Sequence, residues 1–102
     1  MKGTINIGGA ERSLGDANAN WIQEQFGSRK SMGVDVCVRV SIHAAGVNVA
    51  LATPACSGGG GGGRPPNRNE ERILDLWRQH RLDSNDFNVG QLVAFVKQLL
   101  RL

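Results

Sequence analysis

Six consecutive glycines, Gly58 to Gly63, divide the 102-residue chain into two parts with different sequence patterns. Glycine loses more conformational entropy on ordering than any other residue, so an unbroken run of six is not expected inside a helix or a strand. Alternating apolar residues precede the run, and apolar residues at helical spacing follow it. The sequence therefore predicts a first lobe over residues 1–56, a flexible glycine-rich linker over 57–64 and a helical hairpin over 65–102.

The part that follows the glycines is too small to fold alone. Ordering a residue costs about 1.5 kcal/mol, and two short helices bury too little apolar surface to offset that cost over residues 64–102. We therefore expect the helical hairpin to pack against the first lobe, so that residues 1–102 form a single cooperative domain.

The first lobe begins with a short strand and a helix. Ile5 and Ile7 alternate with polar residues, which predicts a strand over residues 4–8 that the pair Gly8–Gly9 brings to an end. Apolar residues at helical spacing over 16–26 predict the helix that follows. Its N-cap candidates are Asp16, Asn18 and Asn20, the last of which has the spacing of a capping box with Gln23.

A β-hairpin completes the first lobe. Apolar residues occupy every second position of residues 34–42, which predicts a strand with one buried face. The alternation resumes at Val47 after a connection over residues 43–46, and matched apolar faces require Ile42 to lie opposite Val47. We expect Gly46 to adopt a left-handed conformation in this connection.

The predicted register separates the two cysteines. It places Cys37 opposite Ala52, and Cys56 would lie about 13 Å from Cys37 if the strand continued straight. A disulfide would require the chain to fold back at Pro54. The sequence shows no apolar signal segment and no apolar stretch long enough to span a membrane, so we expect a cytoplasmic protein with reduced thiols.

Two capped helices are predicted after the linker. Asn67 with Glu70, and Asn88 with Gln91, have the spacing of capping boxes, and apolar residues at helical spacing follow each pair. The first of these helices is expected to stop near residues 80–82.

The order of these elements predicts an α+β fold. A three-stranded sheet of β-α-β-β connectivity would carry the C-terminal helical hairpin on one face. A right-handed crossover through the first helix would allow the first strand to neighbour either strand of the hairpin.

Three patterns that suggest catalysis or ligand binding lack a residue or a distance that the chemistry requires. The glycine run resembles a phosphate-binding loop, but it continues as Arg64-Pro65-Pro66, without the lysine and with prolines that have no N–H to donate. The Asp- and Asn-rich segment 83–91 lacks the glycine of a calcium loop. Cys37 and His43 share a strand face but would lie about 20 Å apart, too far for a nucleophile and its base. We therefore expect no catalytic residue, cofactor or metal, and no enzyme.

Basic residues support one alternative function. The net charge is +3, and arginine predominates over lysine after the glycines. Arg29 and Lys30 lie between two glycines, while Arg64 and Arg68 follow the linker. These residues are candidates for contact with an anion or a nucleic acid, although no exposed aromatic pair or GxxG loop accompanies them.

The apolar surface of the helical hairpin supports the leading hypothesis, a non-enzymatic protein interaction module. The residues of the predicted docking or partner-binding face are Trp77, Phe87, Phe95, Val96 and Leu99. Because the hairpin is tethered by a flexible linker, this face could cap the sheet or bind a partner, and either a protein partner or weak self-association is expected. No membrane partner is expected.

Residues 47–54, 73–77 and 86–99 resemble a type of short, uncharacterised soluble bacterial protein. In such proteins a hairpin is joined to a helical pair through a glycine tract. The resemblance covers most of the chain, but its motifs are structural. It implies the architecture and no function.

Overall fold

The computed structural model describes residues 2–27, 36–44, 46–56, 65–84 and 87–101. The elements in chain order are β1 (Gly3–Ile7), β2 (Ala10–Ser13), α1 (Ala19–Gly27), β3 (Val38–Ala44), β4 (Val47–Ala52), α2 (Arg68–Gln79) and α3 (Val89–Leu100). The strands form a four-stranded antiparallel sheet in the order β2-β1-β3-β4. The α+β class predicted from the sequence is confirmed.

Strand β2 lies where the sequence predicts no strand, so the expected three-stranded β-α-β-β sheet is wrong. Gly8 and Gly9 have φ values of 59° and 103°, and two successive positive-φ residues make the tight turn of a β-hairpin. The sequence of β2 is Ala-Glu-Arg-Ser, which is short, polar and mostly exposed. It lacks the alternation by which a strand is recognised, and the glycine pair was the signal that a hairpin follows.

The additional strand changes how the sheet is connected. β1 pairs antiparallel with β3, with Ile5 opposite Val40, and β2 lies on the other side of β1. β2 and β3 are therefore parallel to each other, and the α1 connection crosses β1 between them. Of the two neighbours that the sequence leaves open for the first strand, it takes β3.

The β3–β4 hairpin has a shorter connection than predicted. Ile42 lies opposite Val49 rather than Val47, because β3 continues past Ile42 and residues 45–46 alone join the strands. Gly46 has a φ of 74°, so the left-handed conformation predicted for it is confirmed. Since the register differs from the prediction by an even number of residues, the apolar side chains of both strands still share one face.

Helices α2 and α3 begin where their capping residues predict. Asn67 accepts a hydrogen bond from Glu70 N–H while the Glu70 side chain accepts one from Asn67 N–H. Asn88 and Gln91 exchange the same pair of bonds at the start of α3. Both capping boxes are therefore confirmed, and α2 ends with His80 as its C-cap, as expected.

Helix α1 begins at a different cap from the one preferred by the sequence pattern. Asn18 Oδ1 accepts a hydrogen bond from Trp21 N–H at 2.8 Å. The capping box expected of Asn20 and Gln23 is wrong, because Asn20 already lies in the first turn of the helix. The Arg12 guanidinium lies 5.3 Å from the centre of the Trp21 ring, so β2 also covers the start of α1.

Residues from both sides of the glycine run share one hydrophobic core. α2 contacts β4, and α3 contacts α1 and α2. Phe26 of α1 packs edge-on against Phe87, with ring centres 6.3 Å apart, and Trp77 packs in the same way against Phe95 at 5.3 Å. The helical hairpin therefore lies on the first lobe, and its broad apolar face is used on more than one side.

Candidate interaction surface

The apolar residues predicted as a docking or partner-binding face all lie inside the fold. Each of these residues is exposed by 4% or less. They are Trp77, Phe87, Phe95, Val96 and Leu99. They hold the helical hairpin against the first lobe, which is the docking role of the two roles that the sequence suggests for this face. Among the large apolar residues that the structure describes, Leu100 alone is exposed.

One of the four basic residues predicted for anion contact lies in the described part of the chain. Arg29, Lys30 and Arg64 fall outside it. Arg68 is exposed in the first turn of α2, which also contains Glu70 and Glu71. These carboxylates already occupy the positive end of the helix dipole, where an added anion would meet two negative charges. The anion-binding alternative stays a prediction.

Glu70 joins the helical hairpin to one edge of the sheet. Its side chain is 2% exposed, and its Oε2 accepts a hydrogen bond from Asn48 N–H of β4 at 2.8 Å while Oε1 accepts from Asn67 N–H at 2.9 Å. The Asn67 side-chain amide donates to the Gly46 carbonyl at 2.7 Å. We call these contacts the Glu70 clamp. The sequence predicts a helix cap at this position, but it does not predict the bond to a strand 22 residues away.

Cys37 and Cys56 form a disulfide, with Cα atoms 4.6 Å apart. The predicted separation of the two residues and the expectation of reduced thiols are therefore wrong. The corrected register places Arg39, not Cys37, opposite Ala52, and the turn in which Cys56 N–H donates to the Thr53 carbonyl returns the chain to Cys37. Both sulfur atoms are used in the bond, so neither offers a thiolate nucleophile.

Thr53 ends the β3–β4 ladder with its side chain. Thr53 N–H donates to the Val38 carbonyl at 3.0 Å. Val38 N–H in turn donates to Thr53 Oγ1 at 3.0 Å, and the hydroxyl donates to the Val36 carbonyl at 3.4 Å. Hydrogen-bonded pairs alternate along an antiparallel ladder, so this pair fixes which residues of β4 direct their backbone groups away from β3. They are Asn48, Ala50 and Ala52.

The two edges of the sheet are protected to different extents. β2 is four residues long and contains Glu11 and Arg12, and both shortness and charge are usual protections of an edge strand. β4 contains no charged residue, proline or glycine. Its Asn48 N–H is covered by the Glu70 clamp, but no hydrogen bond among the described residues reaches the outward backbone groups of Ala50 and Ala52. We call these outward groups the β4 edge.

The face of the sheet opposite the core carries small and polar side chains that are exposed or half-buried. They are Thr4, Asn6, Glu11, Ser13, Arg39, Ser41, His43, Asn48, Ala50 and Ala52. We call this surface the open face. It meets the β4 edge at Ala50 and Ala52, both of which are exposed.

The sequence contained part of the signal for this surface. Val47 to Ala52 is an uncharged run in which apolar residues alternate with small or polar ones, and an uncharged strand on a sheet edge is a site for pairing with another strand. What the sequence did not contain was the position of the run in the sheet. Strand order places β4 at an edge, and the ladder then decides which of its residues face outward.

Residues 2–27, 36–44, 46–56, 65–84 and 87–101 also bear on a metal site and on a membrane-spanning helix. Within these ranges, no three His, Cys, Asp or Glu side chains group to hold a metal ion, and no helix has both the length and the apolar character needed to cross a bilayer. His80 Nδ1 lies 2.8 Å from the Leu76 carbonyl, and its ring packs against Phe95. His80 therefore belongs to the end of α2, as its position near the C-terminus of that helix indicates.

No family model, curated protein or solved structure matches this chain. The resemblance to short bacterial proteins stays a prediction. Function is therefore inferred from the geometry of the open face and the β4 edge.

Proposed function

We propose that this chain is a non-enzymatic protein interaction module that binds an extended polypeptide segment along the β4 edge and the adjoining open face. The observation that supports the proposal is the β4 edge, where no hydrogen bond among the described residues reaches the outward groups of Ala50 and Ala52, two exposed residues of an uncharged strand. A segment that adds to such an edge gains backbone hydrogen bonds, and its alternate side chains lie on the face of the sheet.

The contacts at the two ends of β4 support this function. The Glu70 clamp holds the strand at Asn48, and Thr53 with the Cys37–Cys56 disulfide holds it at the other end. An edge that is already rigid loses little conformational entropy when a segment binds. The strand is therefore organised for binding before a partner arrives.

The disulfide bears on where binding takes place. Disulfides persist mainly in oxidising compartments. Such a compartment fits the Cys37–Cys56 bond better than the cytoplasm expected from the sequence.

Selection from a random peptide library displayed on phage tests the proposal without knowledge of the natural partner. We expect the immobilised full chain to enrich peptides that shift the amide resonances of β4 and of the open face. Ser41 lies in the middle of the open face and is half-buried. Ser41→Arg, with folding checked by circular dichroism, should weaken binding about tenfold, as expected when the centre of an interface is blocked.

Arg72→Ser is the matched control, because Arg72 is exposed on α2. It should leave peptide binding unchanged. Peptides whose resonance shifts map to α2 or α3, or that bind Ser41→Arg as well as the wild type, would contradict the proposal.

A further inference from the structure

The shape of the β4 edge indicates which extended segment binds there. Building on the proposed function, we infer that the segment is β4 of a second copy of this chain. The two strands pair antiparallel about a twofold axis at Leu51, so that Ala50 of each copy lies opposite Ala52 of the other.

The register follows from the groups that bound the free stretch of the edge. At one end, Asn48 N–H already donates to Glu70 at 2.8 Å. At the other end, Pro54 has no N–H to donate and lies in a turn that leaves the strand. The free stretch between them, residues 49–53, is centred on Leu51.

This register also keeps the partner strand away from the Glu70 clamp. A strand residue placed opposite Asn48 would meet the Glu70 carboxylate, which occupies that position. With Ala50 opposite Ala52, the residue that would face Asn48 is Pro54, where the partner chain has already turned away. A shift of two residues toward Asn48 would bring Ala52 of the partner against the carboxylate.

The free stretch is complementary to itself. A twofold antiparallel pair uses the same surface on both copies, which is the arrangement of most homodimers. The two opposed residues are alanines, and β4 carries no charge, so neither steric overlap nor like-charge repulsion opposes the pairing. About four backbone hydrogen bonds would join the two four-stranded sheets into one continuous sheet.

The other edge explains why the assembly closes as a dimer. If β2 of one copy added to β4 of the next, the contact would be head-to-tail and would build an open array. β2 presents Glu11 among its outward-facing residues and has Arg12 beside it, and charge on an edge disfavours such addition. A contact of this size is small, so we expect a reversible dimer with a Kd of roughly 0.1 to 1 mM.

Two double variants of the full chain test the register on the same backbone. Because residues 50 and 52 are exposed on the open face, A50K/A52K and A50K/A52E change the edge without entering the core. In the first variant lysines face lysines in every register. In the second, each lysine faces a glutamate when residue 50 pairs with residue 52. Parallel pairing or a shift of two residues would instead place like charges opposite each other.

Sedimentation equilibrium at protein concentrations up to about 1 mM measures the dimer, with circular dichroism as the check on folding. We expect A50K/A52K to weaken the dimer about tenfold and A50K/A52E to keep it within about threefold of the wild type. Added salt should reduce the difference between the variants. Gln98→Lys, at an exposed position of α3, should leave the dimer unchanged.

Three outcomes would overturn this inference. A wild-type chain that stays monomeric over the whole concentration range would exclude self-pairing, and equal weakening by the two double variants would exclude the register. Weakening by Gln98→Lys would place the contact on α3. If selected peptides still mapped to the β4 edge of a monomeric chain, the proposed function would stand and the second copy alone would be excluded.

Discussion

Among the described residues, Arg81 alone has a positive φ without being a glycine, with a φ of 58°. It follows the C-cap of α2, and its N–H donates to the Arg78 carbonyl at 3.0 Å while Leu82 N–H donates to the Trp77 carbonyl at 3.1 Å. These two bonds form a Schellman motif, in which this position is usually glycine because a Cβ disfavours the left-handed conformation. Leu82 is fully buried, so packing of the next residue stabilises a turn that Arg81 itself disfavours.

Glycine at this position should relieve that cost. We expect the free energy of unfolding of Arg81→Gly to be about 1 kcal/mol higher than that of Arg81→Ala. The larger entropy of glycine in the unfolded chain reduces this difference by a few tenths of a kcal/mol. The alanine variant is the matched control, since both changes remove the same charged side chain. Urea denaturation measures the difference. Equal stability of the two variants would show that the backbone at this turn is not under strain.

At the scale of elements, the Glu70 clamp is the polar contact that links α2 to the sheet. Its carboxylate accepts from two backbone N–H groups that come from different parts of the chain, Asn48 and Asn67. A buried polar group left without its partner is costly, and hydrogen bonds to charged groups contribute about 1.5 to 3 kcal/mol. Asn67, which also donates to Gly46, extends the clamp to the β3–β4 turn.

Glu70→Gln should lower the free energy of unfolding by about 2 kcal/mol, because the amide can accept one bond but directs an N–H toward the other donor. Glu71→Gln is the control. Glu71 lies in the same helical turn but is exposed, so its loss should cost about 0.5 kcal/mol. Chemical denaturation followed by tryptophan fluorescence compares the two. Equal losses would show that the Glu70 contacts to Asn48 and Asn67 contribute no more than an ordinary helix-end charge.

At the scale of the whole molecule, the disulfide closes the loop that contains the entire β3–β4 hairpin. Cys37 and Cys56 are separated by 19 residues. Closing a loop of this length lowers the entropy of the unfolded chain, which stabilises the folded state by about 3 kcal/mol. C37A/C56A should therefore lower the free energy of unfolding by up to about that amount. Guanidinium denaturation measures the change.

A reducing agent provides the matched comparison for this variant. It should destabilise the wild type to about the same extent and leave C37A/C56A unaffected, since that variant has no disulfide to reduce. A wild type whose denaturation is the same with and without reductant would contradict the pairing of Cys37 with Cys56.

The features predicted correctly are those for which neighbouring residues supply the signal. Asn67 with Glu70 and Asn88 with Gln91 are three residues apart, and each capping box forms wherever its helix starts. Alternation in β3 and β4 likewise identifies the buried face from side chains on a single strand. Val40, Ile42 and Val49 are accordingly buried as predicted.

The features predicted wrongly depend on a choice between local conformations that have similar energies. Gly8–Gly9 can end a strand or form the turn of a hairpin. The hairpin forms because the polar residues of β2 can make backbone hydrogen bonds with β1. The hairpin connection could contain two or four residues, since both keep the apolar faces matched. The shorter connection changed the register by two residues, and the distance between Cys37 and Cys56 changed with it.

The sequence by itself determined the α+β class, the starts of α2 and α3 and the apolar faces of β3 and β4, because capping and periodicity act between residues close together in the chain. Only the tertiary structure decided that β4 forms an edge, that Glu70 covers Asn48 and that Ala50 and Ala52 face outward. These properties depend on which distant segments meet, and that is set by the packing of the whole core. The candidate interaction surface therefore became visible only when the order and register of the strands were known.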